Sequence, residues 1–153
     1  QGGLTVGDDI NLSGSTGSTG SLIKWPDGTT QQTSYDTDVI GIRVDNGNQV
    51  ITTGKKGHRT LPYKCEVYKW QTSSSITGGI TFDINWCALT DWPTTTSVGG
   101  SGLPGLTGAT KLEDTSINWT KKTFASGDIM EFEVDAVDGL KDCTLEIWIR
   151  KMP

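Results

Sequence analysis

The sequence predicts an all-β protein, a jelly-roll-like antiparallel β-sandwich, and three observations carry that prediction. Two late segments alternate with a period of two. Met130, Phe132, Val134 and Ala136 fall opposite Glu131, Glu133 and Asp135, and Cys143, Leu145, Ile147 and Ile149 fall opposite Thr144, Glu146, Trp148 and Arg150. Successive strand side chains point to opposite faces of a sheet, so this pattern means half-buried strands. Turn-forming pairs punctuate the chain, at Asp27-Gly28, Asn46-Gly47 and Asp138-Gly139. The composition, with 20 glycines and no run of helix formers at helical spacing, is that of a turn-rich β protein.

At 153 residues the chain has the length of one domain with one core. Its formal charge of −5 argues against a nucleic-acid binder, which needs a cationic stripe against phosphates, and the sequence shows no such stripe. The acidity is concentrated early: residues 1–50 hold six Asp against two basic residues, whereas 51–153 are nearly balanced. No stretch reads as a signal peptide or as the roughly 18 apolar residues of a membrane span. Cys65, Cys87 and Cys143 form no CxxC and each lies in a β-type segment. They read as buried reduced thiols, consistent with assembly in a reducing cytosol.

In chain order, residues 1–36 read as an extended segment for oligomerisation and attachment, and 37–153 as the sandwich head. The apolar pairs Leu4/Val6 and Ile10/Leu12 are too short to make a core alone and call for neighbouring copies. A Gly/Ser/Thr tract from Ser13 to Ser21 separates them from Leu22–Trp25, after which Pro26-Asp27-Gly28 reverses the chain. In the head, Ile40, Ile42 and Val44 mark a strand, and Asn46-Gly47 is expected to return it through Val50 and Thr52 as a hairpin. Thr53–Gly57 reads as a turn. Tyr63–Trp70 is a strand whose phase breaks at Tyr68, which implies a bulge or a strand covered on both sides. Ile80–Trp86 is expected to pair with it as a hairpin across Ser73–Gly79. Residues 90–111 read as a long loop, Ile117–Thr123 as a further strand, and the two late segments as a terminal hairpin.

The run Trp25-Pro26-Asp27-Gly28-Thr29-Thr30-Gln31-Gln32 resembles a shaft-closing sequence of tail fibres and spikes of tailed bacteriophages. Ile51-Thr52-Thr53-Gly54-Lys55-Lys56-Gly57, Pro62-Tyr63-Lys64-Cys65, Ile80-Thr81-Phe82-Asp83-Ile84, Trp92-Pro93-Thr94, Pro104-Gly105-Leu106 and Ser126-Gly127-Asp128-Ile129 resemble a globular domain of tailed-phage structural proteins. The resemblance implies a virion protein assembled in the host cytoplasm, a homotrimer with a β-structured N-terminal segment that contacts other virion proteins. His58-Arg59 and Trp86-Cys87 depart from its pattern, and it transfers no catalytic residue, cofactor or metal.

The residues themselves offer little chemistry. His58 is the sole histidine and no GxSxG elbow accompanies it. Glu131 and Glu133 share a strand face, but alternating acids ordinarily solvate a sheet. Asp135, Asp138 and Asp142 lack the ligand spacing of a calcium loop. Tryptophan is the stronger signal. Trp86 and Trp119 share phase with core positions, whereas Trp148 lies on a polar face and Trp92 in a loop. Leu4, Val6, Ile10, Leu12, Trp25 and Trp148 are the candidate subunit contacts; Trp92, His58 and Arg59 are the candidate glycan contacts. The expected function is a non-enzymatic fibre or adhesin tip that binds host-surface carbohydrate. A capsid decoration or head-fibre protein, and a free carbohydrate-binding module, are the alternatives.

Overall fold

The chain divides between Tyr35 and Asp36 into two units. The computed structural model describes the backbone of residues 22–24 and 30–32, and residues 36–152 with their side chains. In the N-terminal unit β1 (Leu22–Lys24) and β2 (Thr30–Gln32) pair antiparallel, with Leu22 opposite Gln32 and Lys24 opposite Thr30. The chain thus reverses between the two strands, while Pro26-Asp27-Gly28, expected to make the turn, lies outside the described residues. Leu4, Val6, Ile10, Leu12 and Trp25, the candidate N-terminal subunit contacts, lie outside the described residues.

The second unit contains β3 (Thr37–Asp45), β4 (Gly54–Thr60), β5 (Cys65–Cys87), β6 (Thr96–Ser97), β7 (Gly100–Ser101), β8 (Gly105–Asp114), β9 (Asn118–Trp119), β10 (Thr123–Phe124), β11 (Ile129–Asp138) and β12 (Asp142–Lys151). The strand pairing is nested. β3 pairs with β12, β4 with β11 and β5 with β8, all antiparallel. First with last and second with second-last is the winding of a jelly roll, in which consecutive strands fall in opposite layers. The result is a curled antiparallel sheet with a sandwich-like interior.

β5 holds both layers together. On one edge its first half pairs with β12, from Cys65 opposite Lys151 to Ser73 opposite Thr144, and its second half with β11, from Gly79 opposite Asp138 to Cys87 opposite Ile129. On the other edge β10, β8 and β6 pair with successive parts of it. The change of layer falls at residues 74–78, where pairing with β8 skips from Ser73 to Gly78. Gly78 is required there because a Cβ would come within 2.7 Å of the Asp138 carbonyl and 2.5 Å of Leu140. The expected hairpin across Ser73–Gly79 is thus corrected to one strand that passes from layer to layer. The Tyr68 phase break is a bulge: Trp148 pairs with Lys69 and Ile149 with Val67, leaving Tyr68 unopposed.

Further expectations are corrected by the same winding. The terminal segments are strands, joined through Gly139 at φ +74°, but they pair with β5 and not with each other. Between them Leu140 turns fully into the core, carrying the chain from one layer to the other. Asn46-Gly47 turns the chain, with the Gly47 amide donating to Asp45 Oδ1 at 2.7 Å, yet no return strand follows. Ile51 instead buries its side chain, its amide donating to the Leu140 carbonyl at 2.8 Å, and the predicted turn at Thr53–Gly57 gives way to β4 from Gly54 onward. The predicted loop 90–111 contains β6, β7 and the start of β8, and the strand predicted at Ile117–Thr123 is interrupted into β9 and the beginning of β10.

The core lies between the layers. Phe82, Ile84, Phe132 and Val134 come from one, Val67, Leu145, Ile147 and Ile149 from the other, all essentially without exposure. Each such side chain contributes about 1.5–3 kcal/mol of transfer free energy. Trp119 is core as expected; Trp86 is half-buried, its ring edge-on to Phe124 with centroids 6.2 Å apart. Cys65, Cys87 and Cys143 are free and buried. Desolvation, reinforced by neighbouring carboxylates, pushes the Cys65 thiol up to about 11 and that of Cys143 up to about 12.

One core group is uncompensated. Thr72 faces inward beside Leu145, is fully buried, and its Oγ1 finds no hydrogen-bond partner among the described residues. A buried hydroxyl without a partner costs roughly 1–3 kcal/mol. Thr72→Val, which replaces that hydroxyl with a methyl group, is therefore expected to stabilise the protein by about 1–2 kcal/mol, read as a higher urea midpoint at unchanged m-value. A lowered midpoint would show that the hydroxyl is satisfied.

Candidate functional site

β4, β11, the second half of β5 and β6 lie side by side and share an outer face. Direct cross-strand partners point the same way, so the register assigns His58, Glu131, Asn85 and Ser97 to one row and Lys55, Glu133 and Asp83 to the next. The side-chain bonds run diagonally between these rows. Ser97 Oγ donates to Asp83 Oδ1 at 2.8 Å, Asn85 Nδ2 to Glu133 Oε2 at 3.1 Å, and Lys55 Nζ lies 2.9 Å from Glu131 Oε1. The face is a polar lattice, held in register by the strands beneath it.

The segment after β5 folds back over this lattice. A 3₁₀ turn, Leu89–Asp91, leads into a cis Trp92–Pro93 bond, after which Thr95 Oγ1 donates to Glu131 Oε1 at 2.9 Å. Trp92 reaches His58, with ring centroids 4.4 Å apart and planes tilted by 45°. Two of the three candidate glycan contacts are thereby brought together from residues 34 positions apart. His58 is exposed and Trp92 half-buried, so the pair forms an accessible aromatic step beside hydrogen-bonding groups. The third candidate, Arg59, points away from this row, and its guanidinium donates to the His58 carbonyl at 3.2 Å.

The same covering corrects the expectation that Glu131 solvates an outer face. Its side chain is only 5% exposed, because Thr95 and Lys55 close over it, whereas Lys55 remains 57% exposed. The neighbouring lysines are both engaged. Lys55 is paired with Glu131, while Lys56 Nζ donates to Thr52 Oγ1 at 3.1 Å and the Thr53 carbonyl at 3.3 Å. Thr95, Asn85, Asp83 and Ser97 belong to the site without having been singled out in the sequence. The only signal for them was strand phase, which places Asp83 and Asn85 opposite the apolar face of Phe82 and Ile84.

On the opposite layer Trp148 is half-buried on the outer face between Val39 and Lys69, its cross-strand neighbours. Lys69 Nζ lies 4.7 Å from the indole centroid, a cation–π distance, and also pairs with Glu113 at 2.9 Å. That bond to Lys69 holds the Glu113 carboxyl below its ordinary range. Val39 beside it is 43% exposed. Asp135, Asp138 and Asp142 do not converge, and among the described residues no group of three or more His, Cys, Asp or Glu is placed to hold a metal ion.

Two concave clefts of about 360 Å³ each flank the crossing of β5 and β8, one against Ile80, Leu106 and Val137, the other against Trp70, Leu103 and Leu112. Neither offers an accessible aromatic face: Trp70 is buried, with its indole Nε1 donating to the Gly102 carbonyl at 3.0 Å. The fold and the outer face therefore define a β-sandwich with a flat aromatic-polar surface. Compared with known proteins, the chain matches no family model, and no curated protein is significantly similar to it.

The lattice depends on Lys55, the cation that neutralises the buried Glu131. Lys55→Met is expected to destabilise the protein by about 1–2 kcal/mol, less than a fully buried pair because the lysine is half in solvent. Glu131→Gln, which keeps an acceptor for Thr95, is expected to recover part of that loss when combined with it, and equal urea midpoints for Lys55→Met and wild type would contradict the role assigned to the pair.

Proposed function

We propose that this chain is a non-enzymatic attachment protein of a tailed-phage virion, a homotrimeric fibre or adhesin tip whose sandwich head binds host-surface carbohydrate through the outer face of β4, β11 and β5. The observation that carries the reading is the His58–Trp92 ring pair standing beside the Asp83, Asn85 and Glu133 lattice. A sugar ring has an apolar CH face and a rim of hydroxyls. An accessible indole satisfies the first by stacking, and fixed carboxylate and amide groups satisfy the second by hydrogen bonding. Preorganised strands hold these groups, so little ordering entropy opposes binding.

The resemblance of the Trp25–Gln32 run and of the head segments to tailed-phage structural proteins supports the virion setting. The trimer is supported by the short apolar pairs Leu4/Val6 and Ile10/Leu12, which need partners beyond their own segment, and by the exposed Val39 beside Trp148, an apolar surface suited to a sister subunit. On a trimer, three platforms would act together, so that individually weak sugar contacts sum to firm attachment by effective concentration.

Trp92→Ala tests the reading. The variant is expected to keep the wild-type far-ultraviolet spectrum and urea midpoint within about 1 kcal/mol, while losing tenfold or more of the wild-type signal on a glycan array. Wild type and variant giving the same array would exclude the platform, and light scattering on the purified chain should return three times the monomer mass.

A further inference from the structure

We infer that the His58–Trp92 platform selects uncharged sugars and rejects their sialylated or phosphorylated counterparts, an inference that rests on the reading of this face as a carbohydrate platform. The sequence places four basic residues between Lys55 and Arg59 or beside them, His58 included, and a cationic surface would have recruited anionic glycans. The fold disperses that charge. Lys55 is spent on Glu131, Lys56 is drawn to Thr52 and Thr53, and Arg59 is turned onto the backbone of His58. Among the described residues of these two rows, Asp83, Glu131 and Glu133 stand against the one ammonium of Lys55, while Lys56 and Arg59 keep their charge but direct it off the rows.

The hydrogen-bonding capacity left over has the same sense. Ser97 occupies Asp83 Oδ1 and Asn85 occupies Glu133 Oε2, which leaves each carboxylate a second acceptor oxygen with no hydrogen-bond partner among the described residues. Carboxylate oxygens only accept. A neutral sugar presents hydroxyl donors to them and its CH face to Trp92, whereas a carboxylate or phosphate presents further acceptors and a like charge. The register puts Glu131 and Glu133 one strand, and Asp83 two strands, from the strand of His58, at about 4.8 Å per strand. That is comparable to the screening length of about 8 Å at physiological salt, so the repulsion is felt most in low salt. Like-charge juxtaposition of this kind discriminates between partners more than it adds affinity to the right one.

Matched ligands test the inference: N-acetyllactosamine and neutral hexose oligosaccharides, each compared with its terminally sialylated or phosphorylated form, against the full chain in low salt. The expected result is binding of neutral members through Trp92, with the charged counterparts at least about tenfold weaker, and a gap that narrows at high salt or in Asp83→Asn/Glu133→Gln. Equal or tighter Trp92-dependent binding of the charged forms overturns the selectivity and leaves the platform standing. A gap unchanged by salt and by the double substitution likewise overturns it, since the carboxylates would then not be its cause. Absence of binding to every member, charged or neutral, overturns the platform reading and the inference with it.

Discussion

Everything in the head depends on β5 serving two layers at once. A strand of 23 residues is too long to stay in one twisted layer of a domain this size, and this one changes layer at residues 74–78. Because both of its edges are paired along most of its length, the bend carries β12 and β11 into opposite layers on one side and drags β8 around the corner on the other. The glycine at 78 makes the corner possible by admitting the Asp138 carbonyl where a side chain would stand. The interior then fills from both halves of the same strand, with Val67 and Trp70 on one side and Phe82 and Ile84 on the other.

The outer face of β4, β11 and β5 follows from that geometry. Once β5 has turned the corner, its second half sets Asp83 and Asn85 level with Glu133 and Glu131, and the chain leaving at Cys87 turns back over the same face. Trp92 and Thr95 are anchored there because His58 and Glu131 lie in the adjoining row. The burial of Glu131 is tolerable only with Lys55 and Thr95 attached to the same oxygen, since an unpaired buried carboxylate is costly. The platform is therefore a product of the sandwich winding and not of a separate loop insertion.

For β11, β12 and the two halves of β5, strand existence and facing were legible in the sequence but partnership was not, whereas β4 and β8, whose Gly-, Lys- and Thr-rich runs lack apolar alternation, read as a turn and a loop. Alternation at Met130–Ala136 and Cys143–Ile149 reports that one face of each strand is buried, and Phe132 and Ile147 are buried accordingly. It says nothing about the neighbour, and the tight Asp138-Gly139 turn suggested a hairpin where the winding puts the two strands in opposite layers. The Ser/Gly stretch 73–79 was misread for the same reason: small residues mark a turn or a close backbone approach equally well, and here they mark the approach of Asp138. Of the site, Trp92 and His58 were visible as a loop aromatic and a lone histidine, but their contact depends on the fold-back. Glu131 looked solvated because its phase is polar, and only the covering by Thr95 reveals it as buried.

β5 is one strand shared by both layers, and amide hydrogen exchange along Cys65–Cys87 is the test of that sharing. A shared strand cannot lose one half without exposing the core to which the other contributes. Protection at Val67–Thr72 and at Ile80–Ile84 should therefore vanish together, at one denaturant concentration and with one opening free energy. Two halves that open at separate concentrations, as independent hairpin strands do, would show that the layers are not joined through β5.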